Sequence, residues 1–163
     1  MKVAILGGTG PFGRGLATRL VAENVEVVIG SRDEQRAQSA AQEIGCSGAR
    51  NEAAVAGMDI VVLAVVADAV IATAESIRDA LESPVLSVAS ELEFGGGAAQ
   101  PGAAAQSLAE RTAQLLAVPV VAGRAIDVGP LRVARALEGM TAAIVNVNRR
   151  YKAHAGLRLT GLG

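Results

Sequence analysis

Aromatic side chains are scarce in this chain: it has no tryptophan, one tyrosine and two phenylalanines, 2% of its 163 residues. Since 51% of the residues are hydrophobic and the length suits one domain, a core must exist, and it must be built of Val, Ala, Leu and Ile. A single cysteine, Cys46, excludes an internal disulfide, and a single histidine, His154, excludes a His-rich zinc site, so no metal is expected. The formal net charge of -1 lacks the basic excess that would draw the protein to nucleic acid or an anionic membrane. No apolar run approaches the roughly 18 residues of a membrane span, and no basic stretch precedes the short apolar opening. The expectation is a cytoplasmic protein with neither nucleic-acid nor membrane partners.

What is abundant is a hydrophobic pattern whose period keeps changing, the mark of alternating strands and helices. KVAIL at 2–6 predicts a strand, 13–23 a helix, VEVVIG at 25–30 a second strand and DEQRAQSAAQEI at 33–44 a second helix. A weakly marked strand near 47–50 and a short helix at 51–57 follow. IVVLAVV at 60–66 is the plainest strand, and its unbroken apolar character suits a parallel strand covered on both faces. A helix is expected at 68–81, a strand at 84–89, a helix at 106–117 and a strand at 120–128. GGGAAQPGAAA at 95–105 predicts a loop. In a long helix from 130 to 150, Val133, Leu137, Met140, Ile144 and Val147 form an apolar stripe. It suits either the sheet or a homodimer partner.

Five glycines crowd between Gly7 and Gly15, where the first strand gives way to the first helix. Gly8-Thr9-Gly10-Pro11-Phe12-Gly13 has the spacing G-x-G-x-x-G inside a strand-helix-strand unit, the context of a dinucleotide-binding fingerprint. On this reading Gly8 serves the tight turn, Gly10 admits the pyrophosphate to the backbone and Gly13 lets helix and strand pack closely. The helix N-terminus then offers free N–H groups to the phosphates. The fold class that follows is α/β: a doubly wound, mostly parallel Rossmann-type sheet with a helical C-terminal extension. Residues 1–94 form its core, and 106–163 complete the same domain after the loop.

The second strand selects the nucleotide. Where an NAD site carries an acid, this chain has Gly30, followed by Ser31 and Arg32, with Arg36 one helical turn later. Two guanidiniums and a hydroxyl favour the 2′-phosphate of NADP, unless Asp33 and Glu34 pair with those arginines. No acid-base pair is evident. Thr9, Gly10, Gly13 and Gly15 also fit the T-G-x-x-G-x-G of short-chain dehydrogenases, but residue 155, four after Tyr151, is Ala rather than the Lys that chemistry needs. No catalytic side chain is therefore assigned. Hydride exchange between two cofactors held face to face needs none, because geometry and exclusion of water do most of the work.

KVAILGGTGPFGRGLATRL, VVIGSRDEQRA, AIDVGPL at 125–131 and NRRYKAHAGLRLTGL at 148–162 together resemble the NADPH-dependent F420 reductases. The resemblance implies reversible hydride transfer between NADP(H) and the deazaflavin coenzyme F420. Carried over by position, Thr9 to Phe12 would touch the phosphates, and Ser31, Arg32 and Arg36 the 2′-phosphate. Val65, Val66 and Ala67, with Ala89 and Ser90, would flank the nicotinamide. Ala155 and Gly156 in the tail would fold back toward the reaction site. The chain departs from the family in having Val66 where proline is usual. It also lacks a strand-helix-strand stretch before AIDVGPL, and a sheet edge left unpaired where the 120–128 strand should pair would need covering by the helix or by a second subunit. A non-catalytic NADP-binding sensor and an NADP-dependent dehydrogenase of another small substrate are the alternatives.

Overall fold

The computed structural model describes residues 1–89, 91–95, 98–101 and 106–122. In chain order the elements are β1 (Lys2–Leu6), α1 (Pro11–Ala22), β2 (Glu26–Ser31), α2 (Glu34–Ile44), β3 (Ser47–Arg50), α3 (Asn51–Ala54) and β4 (Ile60–Leu63). They continue with α4 (Ala67–Ile77) and its 3-10 extension Arg78–Ala80, then β5 (Val85–Ser87), β6 (Leu92–Gly95), β7 (Ala98–Pro101), α5 (Leu108–Leu115) and β8 (Val120–Ala122). Six strands form one parallel sheet in the order β3-β2-β1-β4-β5-β8.

The side-chain period of two sorts this sheet into two cores. Val3, Ile5, Val27, Ile29 and Val62 face α1 and α2, meeting Ala17, Ala37, Ala40 and Ala41. Ala4, Leu6, Val61 and Leu63 face the other way, against Val70, Ala74 and Ile77 of α4 and Leu108 of α5. Burying a Leu, Ile or Val of this kind is worth about 1.5–3 kcal/mol each, so small aliphatic residues suffice without aromatics. Alanine-lined helices also come close: a Cβ on Gly48 in β3 would collide with the backbone of Ala37 in α2.

The strand order reverses around β1 and β4, which places a crevice beyond their carboxyl ends. β4 is shorter than its apolar run predicts. After Ala64 donates its N–H to the Leu6 carbonyl at 2.8 Å, the chain turns away to start α4, so Val65 and Val66 leave the sheet for the crevice. An all-apolar run carries no mark of its own end.

The expectation of a loop over 95–105 is corrected. β6 and β7 pair antiparallel, Leu92 opposite Pro101 and Gly95 opposite Ala98, so Ala98–Pro101 is strand. A two-stranded ribbon is ordered by backbone pairing, which hydrophobic periodicity does not register, and its terminal position accommodates proline. Of the strand expected at 120–128, Val120–Ala122 pairs with β5, Val85 opposite Val120, and forms one edge of the described sheet; 123–128 lie outside the described residues. β5 and β8 are direct neighbours in the sheet, with no strand between them. Glu91 and Arg111 link the start of the ribbon to α5 through two hydrogen bonds of 2.7 and 2.8 Å. The helix expected over 130–150 and its apolar stripe lie outside the described residues.

Candidate functional site

The crevice has two compartments that meet at Gly10, Ala64, Val65 and Val66. The first, about 410 Å³, is lined by Gly7, Thr9 and Gly10 from the glycine turn, Ser31, Arg32, Asp33 and Arg36 from the β2–α2 junction, and Asn51, Ala69 and Thr73. The second, about 490 Å³, is lined by Pro11, Phe12, Ala67, Asp68, Val88 and Ala89 beside the shared residues. Thus Thr9, Gly10, Ser31, Arg32 and Arg36, chosen from sequence, come together on one side. Pro11, Phe12, Val65, Val66, Ala67 and Ala89 come together on the other. Ser90, Ala155 and Gly156 lie outside the described residues.

The glycine turn works differently in detail from the sequence reading. Positive φ, +84°, falls at Gly7 rather than Gly8, and a Cβ at Gly7 would approach the Ala64 carbonyl oxygen to 2.6 Å. Gly8 is needed for packing, because its Cβ would meet Ile29 at 2.6 Å and the Ile5 carbonyl oxygen at 2.9 Å. Gly13 does what its place in the fingerprint predicts: its Cβ would lie 2.5 Å from the Gly7 carbonyl oxygen and 2.7 Å from Gly8 Cα. Gly8 and Gly13 line neither compartment; they shape the turn from beneath. The pair of adjacent glycines concealed which one bends the chain.

Helix α1 begins at this turn with Gly10 as its N-cap, Pro11 in its first turn, no capping side chain and no acidic residue. The contrast with its neighbours is chemical. Asp33 caps α2 by accepting from the Arg36 N–H at 3.1 Å, Ser107 and Glu110 form a reciprocal capping box on α5, and α3 and α4, which also lack a capping side chain, carry Glu52 and Asp68 in their first turns. The amino end of α1 is left with N–H groups and partial positive charge facing the crevice, the arrangement that receives phosphate.

Asp33 is thereby committed to its helix, and its own N–H donates to Ser31 Oγ at 3.2 Å. Among the described residues neither Arg32 nor Arg36 is ion-paired, and both side chains are exposed. The competing pairing with Asp33 and Glu34 does not form in the described structure. Two guanidiniums beside a hydroxyl make the first compartment cationic at its mouth, suited to a dianionic phosphate.

Apart from Asp68, the described side chains lining the second compartment are apolar, with Phe12 60% and Val66 75% exposed at its rim. Val66 has φ -63° and ψ 152°, within the range a proline ring imposes. Val66→Pro is therefore expected to be tolerated and to stabilise the fold by about 0.4–1 kcal/mol through the unfolded chain. Thermal melts check this, and a lowered midpoint would contradict it. Cys46 lines neither compartment, and partial burial pushes its thiol up, keeping it protonated at neutral pH.

Sheet order and crevice together define a Rossmann-type α/β domain. Residues 2–91 match the family described as NADP oxidoreductase, coenzyme F420-dependent. The chain is 31% identical to the F420-dependent NADP reductase of Methanothermobacter thermautotrophicus, over 222 aligned positions covering 99% of this chain and 96% of the relative. With the Methanocaldococcus jannaschii F420-dependent NADP reductase the identity is 27%, covering 99% of both. This chain belongs to the F420-dependent NADP oxidoreductase family. A structure from Arthrobacter sp., put forward as an F420-dependent NADP reductase, superposes with a TM-score of 0.65 at 27% identity over 75% of this chain; the chain spans 61% of that structure's length. Synechocystis arogenate dehydrogenase, at 19% identity and TM-score 0.56 over 72% of this chain and 38% of its own, shares the fold.

The length difference is informative. An alignment of 222 positions against 163 residues leaves at least 59 positions of the Methanothermobacter thermautotrophicus relative opposite no residue here. That is ample for the missing strand-helix-strand unit, which takes roughly 30 residues.

Proposed function

We propose that this protein transfers a hydride between NADP(H) and coenzyme F420. The observation that carries the reading is the uncapped amino end of α1, placed where the cationic and apolar compartments meet. NADP lies across that junction. Its 2′-phosphate is held by Ser31, Arg32 and Arg36, its pyrophosphate by the backbone from Thr9 to Phe12, and its nicotinamide by Val65, Val66, Ala67 and Ala89. Ser90, Ala155 and Gly156 complete the reaction side by position in the family.

When both cofactors are bound, the dihydronicotinamide gives up a hydride and becomes NADP⁺, while the deazaflavin gains that hydride and one solvent proton. The protein's own residues orient and shelter this exchange. Phe12, Val66 and Val88 exclude water, and among the described residues Asp68 is the one carboxylate lining the compartment. Neither side chain nor metal need carry a proton or charge for the hydride to move. A homodimer through the apolar stripe of 130–150, and a cytoplasmic setting suited to a lone cysteine, are parts of the same proposal.

The test is a titration of the protein with NADPH and with NADH, followed by nicotinamide fluorescence. Tighter binding of NADPH by at least about tenfold is expected from a charge-assisted phosphate contact. Equal affinities would remove the NADP assignment.

A further inference from the structure

The first compartment contains a buried polar side chain that the fingerprint does not account for. Asn51 opens α3 immediately after β3, is 3% exposed, and lines the compartment with Ser31, Arg32 and Thr73. Its Oδ1 is buried with no hydrogen-bond partner among the described residues. An unpartnered buried amide oxygen destabilises the fold, and such groups persist mainly where function requires them.

Its position suggests what completes it. A Cβ added to Gly30 would come within 3.0 Å of that oxygen and would also collide with Leu6. Gly30 is the strand-end position at which NAD-binding domains carry the acid that holds the ribose. Here the space is filled by a leucine from β1 and a carboxamide arriving from the end of β3. A carboxamide offers an acceptor and two donors but no negative charge. It can therefore serve the nucleoside without repelling a neighbouring 2′-phosphate, which a carboxylate at the same place would do.

We propose that Asn51 binds the adenosine end of the dinucleotide, completing its hydrogen bonding on the ribose and adenine that NADPH and NADH share. This rests on the crevice being the NADP site. It assigns Asn51 a task distinct from that of Arg32 and Arg36, because its contact is independent of the 2′-phosphate.

The experiment compares wild type with Asn51→Leu, which keeps the forked side-chain outline over Gly30 at somewhat greater bulk while removing the orphan oxygen. Binding of adenosine 2′,5′-bisphosphate, NADPH and NADH is measured together with the thermal midpoint of the cofactor-free protein. The expected result is a dissociation constant about tenfold higher for all three ligands, with an unchanged or raised midpoint. Asn51→Ala should weaken the same three ligands equally, with a lower midpoint from the cavity it leaves. Wild-type binding of the bisphosphate with unaltered binding by both variants would overturn the role of Asn51 and leave the NADP site standing. Failure of the wild type to bind the bisphosphate would overturn the site and this inference together.

Discussion

Arg32→Ala is expected to raise the NADPH dissociation constant about 10- to 100-fold while changing that of NADH by less than about threefold. The guanidinium stands beside Ser31 and Arg36 at the mouth of the first compartment, where its partner would be the 2′-phosphate that NADH lacks. Because Arg32 is exposed, solvent and salt screen the contact, and the lower part of that range is expected at physiological ionic strength. Arg32→Lys should recover only part of the loss, since an ammonium keeps the charge but not the planar fork. A parallel titration of the two cofactors separates the cases. Equal weakening of both would mean that Arg32 supports the compartment's shape and reads no phosphate.

Gly13→Ala is expected to cost about 2–3 kcal/mol of stability and to remove measurable NADPH binding with it. The added methyl group would lie 2.5 Å from the Gly7 carbonyl oxygen and 2.7 Å from Gly8 Cα. Both are backbone atoms of the turn that precedes the amino end of α1, so neither can swing aside as a flexible side chain would. Relief requires α1 to move away from β1, which takes its N–H groups off the pyrophosphate position. Gly15→Ala provides the control on the same helix. Its Cβ would meet nothing within 4 Å, and removing an exposed mid-helix glycine should stabilise by about 0.5–1 kcal/mol. Opposite shifts in thermal midpoint for these two glycines would show that close approach, and not helix propensity, governs position 13.

The parallel core was legible because each of its determinants is local. The apolar runs at 2–6 and 60–66 and the polar helix at 33–44 declare themselves through period and composition, though not where β4 ends, and the fingerprint names its own context. The grouping of Ser31, Arg32 and Arg36 along the first compartment was legible for the same reason: they are close in sequence as well as in space. Asn51 was not, since nothing in the letters of its neighbourhood indicates burial; only the arrival of β3 beside β2 brings it over Gly30. The division of labour between Gly7 and Gly8 was also hidden, because it depends on whether Ala64 or Ile29 faces the missing side chain. The β6–β7 ribbon escaped a reading based on hydrophobic period, since its pairing is made by the backbone.

Family membership and the shortened length meet at one question: whether this compact member retains both cofactors. At least 59 positions present in the Methanothermobacter thermautotrophicus relative's alignment have no counterpart here, yet β5 and β8 pair directly and both compartments are formed. The non-catalytic sensor and the dehydrogenase of another substrate have less in their favour than the hydride transferase, because the relatives at 27–31% identity are named F420-dependent NADP reductases.

The measurement that tests this most directly is the absorbance of oxidised coenzyme F420 mixed with NADPH and catalytic amounts of the purified protein. Hydride transfer by this protein requires bleaching of the deazaflavin over many turnovers, matched mole for mole by NADPH oxidation and strongly reduced when NADH replaces NADPH. Tight NADPH binding with no bleaching beyond the uncatalysed rate would contradict it.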